Sequence, residues 1–196
     1  MCGLFAFTGP ADPDPALLTA AATAAAARGP HGHGWSTTDT VLHALGTLNI
    51  DAIAALRGPR ILGHARLATT GDYRDPTALQ PIRVAGHQLA HNGTLRNYRD
   101  VLPDYGSDTV ALAHVYAQLR EQSHSPADAL TTAMKMFDTP AWALLVLDAD
   151  GTLLGWRHQL PLWRAEAPTG VYFASRTFGA GATQLPDDTL IQEPAR

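Results

Sequence analysis

The chain has 196 residues, 45% of them hydrophobic, and a formal net charge of -4. That length and apolar content suit one ordinary globular domain with a full core. The absence of any basic run or Arg/Lys stripe argues against a nucleic-acid binder, and no stretch approaches the ~20 apolar residues of a membrane span. Cys2 is the only cysteine, so no internal disulfide can form, which suits a reducing compartment. The start lacks the pattern of a signal peptide. The expectation is a soluble, cytoplasmic protein.

Residues 2–8 read as a short buried strand ended by Gly9-Pro10. Asp14-Pro15 opens an alanine-rich helix to about Ala27, with Asp14 as N-cap and Pro15 at its first position. Residues 28–34 form a glycine-rich connection, and 35–48 read as a hairpin. Asn49 caps a short helix to Arg57, and Ile61 to Leu67 is strand-like. Residues 69–80 form a long polar loop of the kind that carries function. Strands follow at about 82–85 and 87–91, with a turn expected at Asn92-Gly93. Ser107 caps a helix to about Glu121, and Ser125-Pro126 opens another to about Phe137. Residues 141–147, 153–157 and 171–174 read as late strands, the first two joined by an Asp150-Gly151 hairpin. Strands, then helices, then strands favour an α+β layered domain over a βαβ repeat.

Five segments carry candidate chemistry. Met1-Cys2-Gly3-Leu4 puts a thiol one bond from the start; trimming Met1 gives Cys2 a free α-amine, so nucleophile and base share one residue. The others are Arg28-Gly29-Pro30, the run Gly63-His64-Ala65-Arg66-Leu67-Ala68-Thr69-Thr70-Gly71, His91-Asn92-Gly93, and Ser107-Asp108-Thr109. Each has a bland reading: a frayed terminus, a solvated arginine, a hairpin turn, a helix cap.

Taken in this order, the five segments resemble the class II glutamine amidotransferases, whose glutaminase domain belongs to the N-terminal-nucleophile hydrolases. The resemblance covers essentially the whole chain, 1–196, as a single glutaminase domain. It implies a four-layer αββα sandwich, with two mainly antiparallel sheets between helix layers. It also implies hydrolysis of L-glutamine to glutamate and ammonia through a Cys2 thioester, with no metal or organic cofactor. Asn92 and Gly93 would supply the oxyanion hole. Arg66 would clamp the substrate α-carboxylate and Asp108 would hold its α-ammonium. Thr69, Thr70, Gly71 and His91 would line the pocket, and Arg28 would support the site from behind. The chain leaves no second domain to consume ammonia, so a separate synthase subunit is the expected partner.

Three positions depart from the family pattern. His31 stands where the family usually has Asp, Leu67 where the hexosamine-phosphate and phosphoribosylamine enzymes have Trp, and Thr70 where those enzymes have His. Leu67-Ala68 is closer to the asparagine synthetase version. Two other functions stay open: a stand-alone amidohydrolase acting on a γ-glutamyl amide, and a catalytically silent regulatory subunit. His31-x-His33 and His87-x₃-His91 are weak metal patterns that lack cysteine or carboxylate partners.

Overall fold

Alternation along the first strand sets the layers. In a computed structural model, which describes residues 1–68 and 74–195, β1 (Gly3–Thr8) points Phe5 and Phe7 to one side and Leu4 and Ala6 to the other. All are fully buried, so the strand is covered on both faces. The chain continues through α1 (Pro15–Ala26), β2 (Gly32–Ser36), β3 (Val41–Leu45), α2 (Ile50–Ala54), β4 (Arg60–Arg66), β5 (Ile82–Val84) and β6 (His87–Gly93). Next come α3 (Tyr98–Val101), α4 (Asp108–Glu121), α5 (Pro126–Met134), β7 (Trp142–Leu147) and β8 (Leu153–His158). The chain ends with β9 (Trp163–Ala167), β10 (Gly170–Ala174), β11 (Thr183–Gln184) and β12 (Leu190–Glu193).

The strands form two antiparallel sheets. One is ordered β11-β9-β10-β1-β4-β2-β3 and the other β12-β8-β7-β6-β5. Phe5, Phe7, Ile61 and Tyr172 pack under the alanine face of α1 and against Ile53 of α2. Leu89, Leu144 and Val146 pack under α4 and α5. Leu4, Ala6, Leu62, Ala90, Leu145 and Phe173 fill the space between the sheets. The result is helix, sheet, sheet, helix: the α+β sandwich expected from the sequence. Among the described residues no helix is long and apolar enough to cross a membrane.

The helix ends follow their capping residues. The Asp14 carboxylate accepts from the N–H groups of Ala16 and Leu17, and Ser107 accepts from Val110 N–H. At one end of the sandwich, Asp148 accepts hydrogen bonds from Tyr116 and Arg120 and lies 2.8 Å from His87, tying α4 to the second sheet. Burial opposes its ionisation, but these partners outweigh it and hold the carboxyl well below its usual range.

Several sequence expectations shift. The first hairpin begins at Gly32 rather than residue 35, because the glycine-rich stretch itself pairs with β4. Asn92-Gly93 is not a hairpin turn: both residues extend β6 and pair with Ala143 and Trp142 of β7. The turn between β5 and β6 is Ala85-Gly86, both at positive φ. The helix expected to reach Phe137 ends at Met134. Strands β9, β11 and β12 were not anticipated from the sequence.

Gly3 sits where α1 crosses the start of β1, and a Cβ there would lie 2.0 Å from the backbone oxygen of Ala25. Gly3→Ala should therefore destabilise the fold by about 2 kcal/mol or more, lowering Tm by ~4 °C or more. Gly106→Ala, with nothing within 4 Å of its Cβ, should stay within ~0.5 kcal/mol of the parent. Equal melting of the two variants would contradict this packing.

Candidate active site

The strand register brings the five sequence segments to one end of the sandwich. Gly3 pairs with Ala65, which places Cys2 beside the end of β4. Gly32 pairs with Arg66, and Ala174 pairs with Phe5. In the other sheet Asn92 and Gly93 close β6 at the same end. Residues 62, 64 and 66 share one face of β4, so His64 and Arg66 follow Leu62 toward the space between the sheets. On β6, Asn92 shares its face with Ala90, which also belongs to that inter-sheet layer.

Cys2 is held from three directions. Its backbone N–H donates to Asn92 Oδ1 at 2.9 Å. Its carbonyl accepts from Arg28 Nε at 2.9 Å. Its Sγ lies 3.8 Å from the carbonyl oxygen of Leu67. Two residues on, Leu4 N–H donates to Ser175 Oγ at 2.7 Å, and Ser175 N–H returns a bond to Leu4 O at 2.9 Å. Arg28 thus meets Cys2 through the backbone carbonyl. Ser175 lies one residue past the strand read at 171–174 and was not singled out from the sequence.

A cavity of about 440 Å³ opens at Cys2. Arg66 and Asp108 line it with opposite charges, and both act on the thiol. Burial is the main influence and pushes the Cys2 thiol above its ordinary value, Arg66 works against it, and Asp108 adds to it. A buried thiol of this kind needs a base before it can attack. Arg66 is nearly buried, at 8% exposure. The Asp108 carboxylate accepts from Leu95 N–H at 3.0 Å and from Thr109 N–H at 2.7 Å. It therefore anchors the segment just after Gly93 as well as facing the cavity.

Four buried polar atoms here have no hydrogen-bond partner among the described residues: Asn92 Nδ2, His91 Nε2 and both ring nitrogens of His64. Folded proteins pair more than ~90% of such atoms, and each unpaired one costs about 1–3 kcal/mol. The Asn92 amide orientation follows from chemistry, because the Cys2 N–H requires an acceptor and leaves Nδ2 as the free donor. Gly93 has φ 153°, and a Cβ there would lie 2.5 Å from His91 Nε2; only glycine fits.

His91 is positioned by a chain of polar groups. Gln80 Oε1 accepts from His91 N–H at 2.6 Å, and Gln80 Nε2 donates to Thr109 Oγ1 at 3.0 Å. The same hydroxyl lies 3.3 Å from His91 Nδ1. Gln80 and His64 were not singled out from the sequence as site residues. A buried glutamine at the end of a polar loop has no sequence signature apart from the loop itself. Thr69, Thr70 and Gly71 lie outside the described residues. The weak metal pattern at His87 and His91 splits, since His87 meets Asp148 and His91 meets Thr109. Among the described residues one trio has ligand atoms within 4.8 Å of one another, His158, Asp187 and Asp188, with both aspartates exposed.

Burial pushes His64 down to about 3, with lesser contributions from His91, Arg66 and His43. Burial also lowers His91, opposed by Asp108. Both imidazoles are neutral in the folded protein at pH 7. An unfolded histidine takes up its proton near pH ~6.5, so below that pH the unfolded chain binds protons that the native site refuses. This stability is present above pH ~6.5 and is lost as the pH falls toward the folded value. Stability should fall between pH ~6.5 and ~4.5 by up to ~1.4 kcal/mol per pH unit from His64, with His91 adding in the same direction, and Tm should fall with it. His64→Gln should flatten the slope, and a Tm independent of pH across that window would contradict it.

Comparison with solved structures adds the fold relationship. The chain is similar to the glutamine phosphoribosylpyrophosphate amidotransferase from B. subtilis, with TM-score 0.72 and 22% identity over 98% of this chain and 49% of that one. It is similar to a structure described as the allosteric regulatory enzyme of purine biosynthesis, with TM-score 0.72, 23% identity and the same coverage. A glutamine aminotransferase class-II domain protein from Silicibacter pomeroyi matches over 99% of both chains, with TM-score 0.58 and 13% identity. The chain spans about half the length of the first two. No protein-family model matches the sequence, nor does any curated protein. At these identities the likeness is one of fold: two antiparallel sheets between helix layers.

Proposed function

We propose that the chain is a single glutaminase domain that cleaves the side-chain amide of L-glutamine through a thioester at Cys2. The observation that carries this reading is the Asn92 amide, whose oxygen holds the Cys2 backbone nitrogen while its Nδ2 is left unpartnered beside a thiol. The fold likeness to amidotransferase structures supports it.

Removal of Met1 turns the Cys2 nitrogen into an α-amine. One of its hydrogens still donates to Asn92 Oδ1, and its lone pair takes the thiol proton, directly or through one water. The thiolate attacks the amide carbon. Asn92 Nδ2 and Gly93 N–H meet the oxyanion. The α-ammonium returns the proton to the departing ammonia, and water then hydrolyses the thioester to glutamate and the free thiol. Arg66 pairs with the substrate α-carboxylate and Asp108 with its α-ammonium, so the site selects an amino acid over a simple amide. His91 lines the pocket, and we assign contacts with glutamine to Thr69, Thr70 and Gly71 as well. Arg28 positions Cys2 through its carbonyl. The reaction calls for no metal or cofactor. We assign the released ammonia to a separate synthase subunit, and the enzyme to the cytoplasm, where a lone reactive thiol stays reduced.

Chain verified by mass to lack Met1 should release glutamate from glutamine. Cys2→Ala should abolish the activity, and Asn92→Ala should lower kcat by ~10²–10³. Arg66→Lys should raise KM about tenfold or more, because an ammonium does not match the carboxylate bidentately. Undiminished glutamate release by Cys2→Ala would refute the mechanism.

A further inference from the structure

A second cavity of about 360 Å³ meets the first at Cys2. The two share Cys2, Leu67, Gly93 and Thr94. The first holds Arg66 and Asp108. The second is lined also by Pro140, Ala141, Leu160, Asn92 and Met1. Among the described residues its lining has no acidic side chain and one cationic side chain, Arg96, which has no side-chain partner among them.

A tetrahedral intermediate on Cys2 carries four substituents: sulfur, oxyanion, acyl chain and amide nitrogen. The oxyanion goes to Asn92 and Gly93, and the acyl chain, with its α groups, goes to Arg66 and Asp108 in the first cavity. The nitrogen is left to face the second. Met1 and Cys2 both line that cavity, so the bond cut on Met1 removal lies at its wall. The new α-amine therefore opens on the same side as the leaving nitrogen it must protonate. Ammonia is about the size of water, whose share of liquid volume is ~30 Å³. The cavity is roughly tenfold larger and falls among small-molecule sites, which run ~300–1,000 Å³.

We propose that the second cavity is a leaving-amine site, and that besides glutamine the enzyme cleaves γ-glutamyl amides whose nitrogen carries a short, largely apolar substituent that also bears an anionic group. The proposal rests on Cys2 being the attacking thiol. The Cys2 Sγ–carbon bond forms and the carbon–nitrogen bond breaks. The thiol proton passes through the α-amine to the substituted nitrogen, which leaves as a primary amine. Water then converts the thioester to glutamate and restores the thiol. Leu67, Pro140, Ala141 and Leu160 contact the apolar body of the substituent, and Arg96 its charge.

The test compares three substrates on chain lacking Met1: L-glutamine, γ-L-glutamyl-L-phenylalanine and the C-terminal amide of that dipeptide. The acidic dipeptide should exceed its neutral amide in kcat/KM by about tenfold. Arg96→Ala should erase that difference, and Leu160→Trp should lower the dipeptide-to-glutamine ratio about tenfold or more. Cleavage of glutamine with neither dipeptide turned over would overturn the proposal and leave the glutaminase reading standing. So would an acid preference that survives in Arg96→Ala. If none of the three compounds is cleaved, the thioester reading falls and this proposal falls with it.

Discussion

The hydrogen bond from the Cys2 backbone nitrogen to Asn92 Oδ1 joins the ends of the two sheets. Cys2 precedes β1 in the first sheet, and Asn92 lies near the end of β6 in the second. One side-chain amide therefore ties the residue that precedes β1 in one sheet to the end of β6 in the other. Everything around it keeps that distance constant. Arg28 holds the Cys2 carbonyl, Ser175 holds Leu4, and Asp108 holds Leu95 just past Gly93. The apolar inter-sheet layer of Leu4, Ala6, Leu62 and Ala90 sets the spacing.

Close backbone approach and unpaired polar groups are the structural consequences. Gly3 admits the backbone of α1, Gly29 admits that of β4, and Gly93 leaves room for His91 and Ala141. Each position forbids a side chain. The unpartnered atoms of Asn92, His91 and His64 lower stability. Unsatisfied donors and acceptors gathered at one end of the sandwich are what a preorganised polar site requires.

Much of this was legible in the sequence because local chemistry and tertiary role agree. Asp14-Pro15, Ser107 and Ser125-Pro126 start helices where capping rules place them. Cys2, Arg66 and Asp108 line one cavity, and Asn92 and Arg28 hydrogen-bond to Cys2. Asn92-Gly93 misled as a turn because tertiary pairing with β7 overrides the local preference of that dipeptide. Gly32 and Gly34 looked like linker for the same reason: their strand is made by pairing with β4, where a side chain would clash. Gln80 was invisible because its importance lies in what it touches across the fold, and His64 was quoted only as part of its run because its burial is set by the facing sheet. The second cavity is assembled from residues 67, 92–96, 140–141 and 160, which no linear motif unites.

The most direct test of the central claim is covalent capture by 6-diazo-5-oxo-L-norleucine, an electrophile with the α groups and chain length of glutamine. Chain lacking Met1 should gain one adduct mass, with loss of N₂, and peptide mapping should locate it on Cys2. Excess glutamine should slow the labelling. Absence of an adduct from the verified chain, or an adduct on any other residue, would contradict the assignment of Cys2 as the nucleophile of a glutamine site.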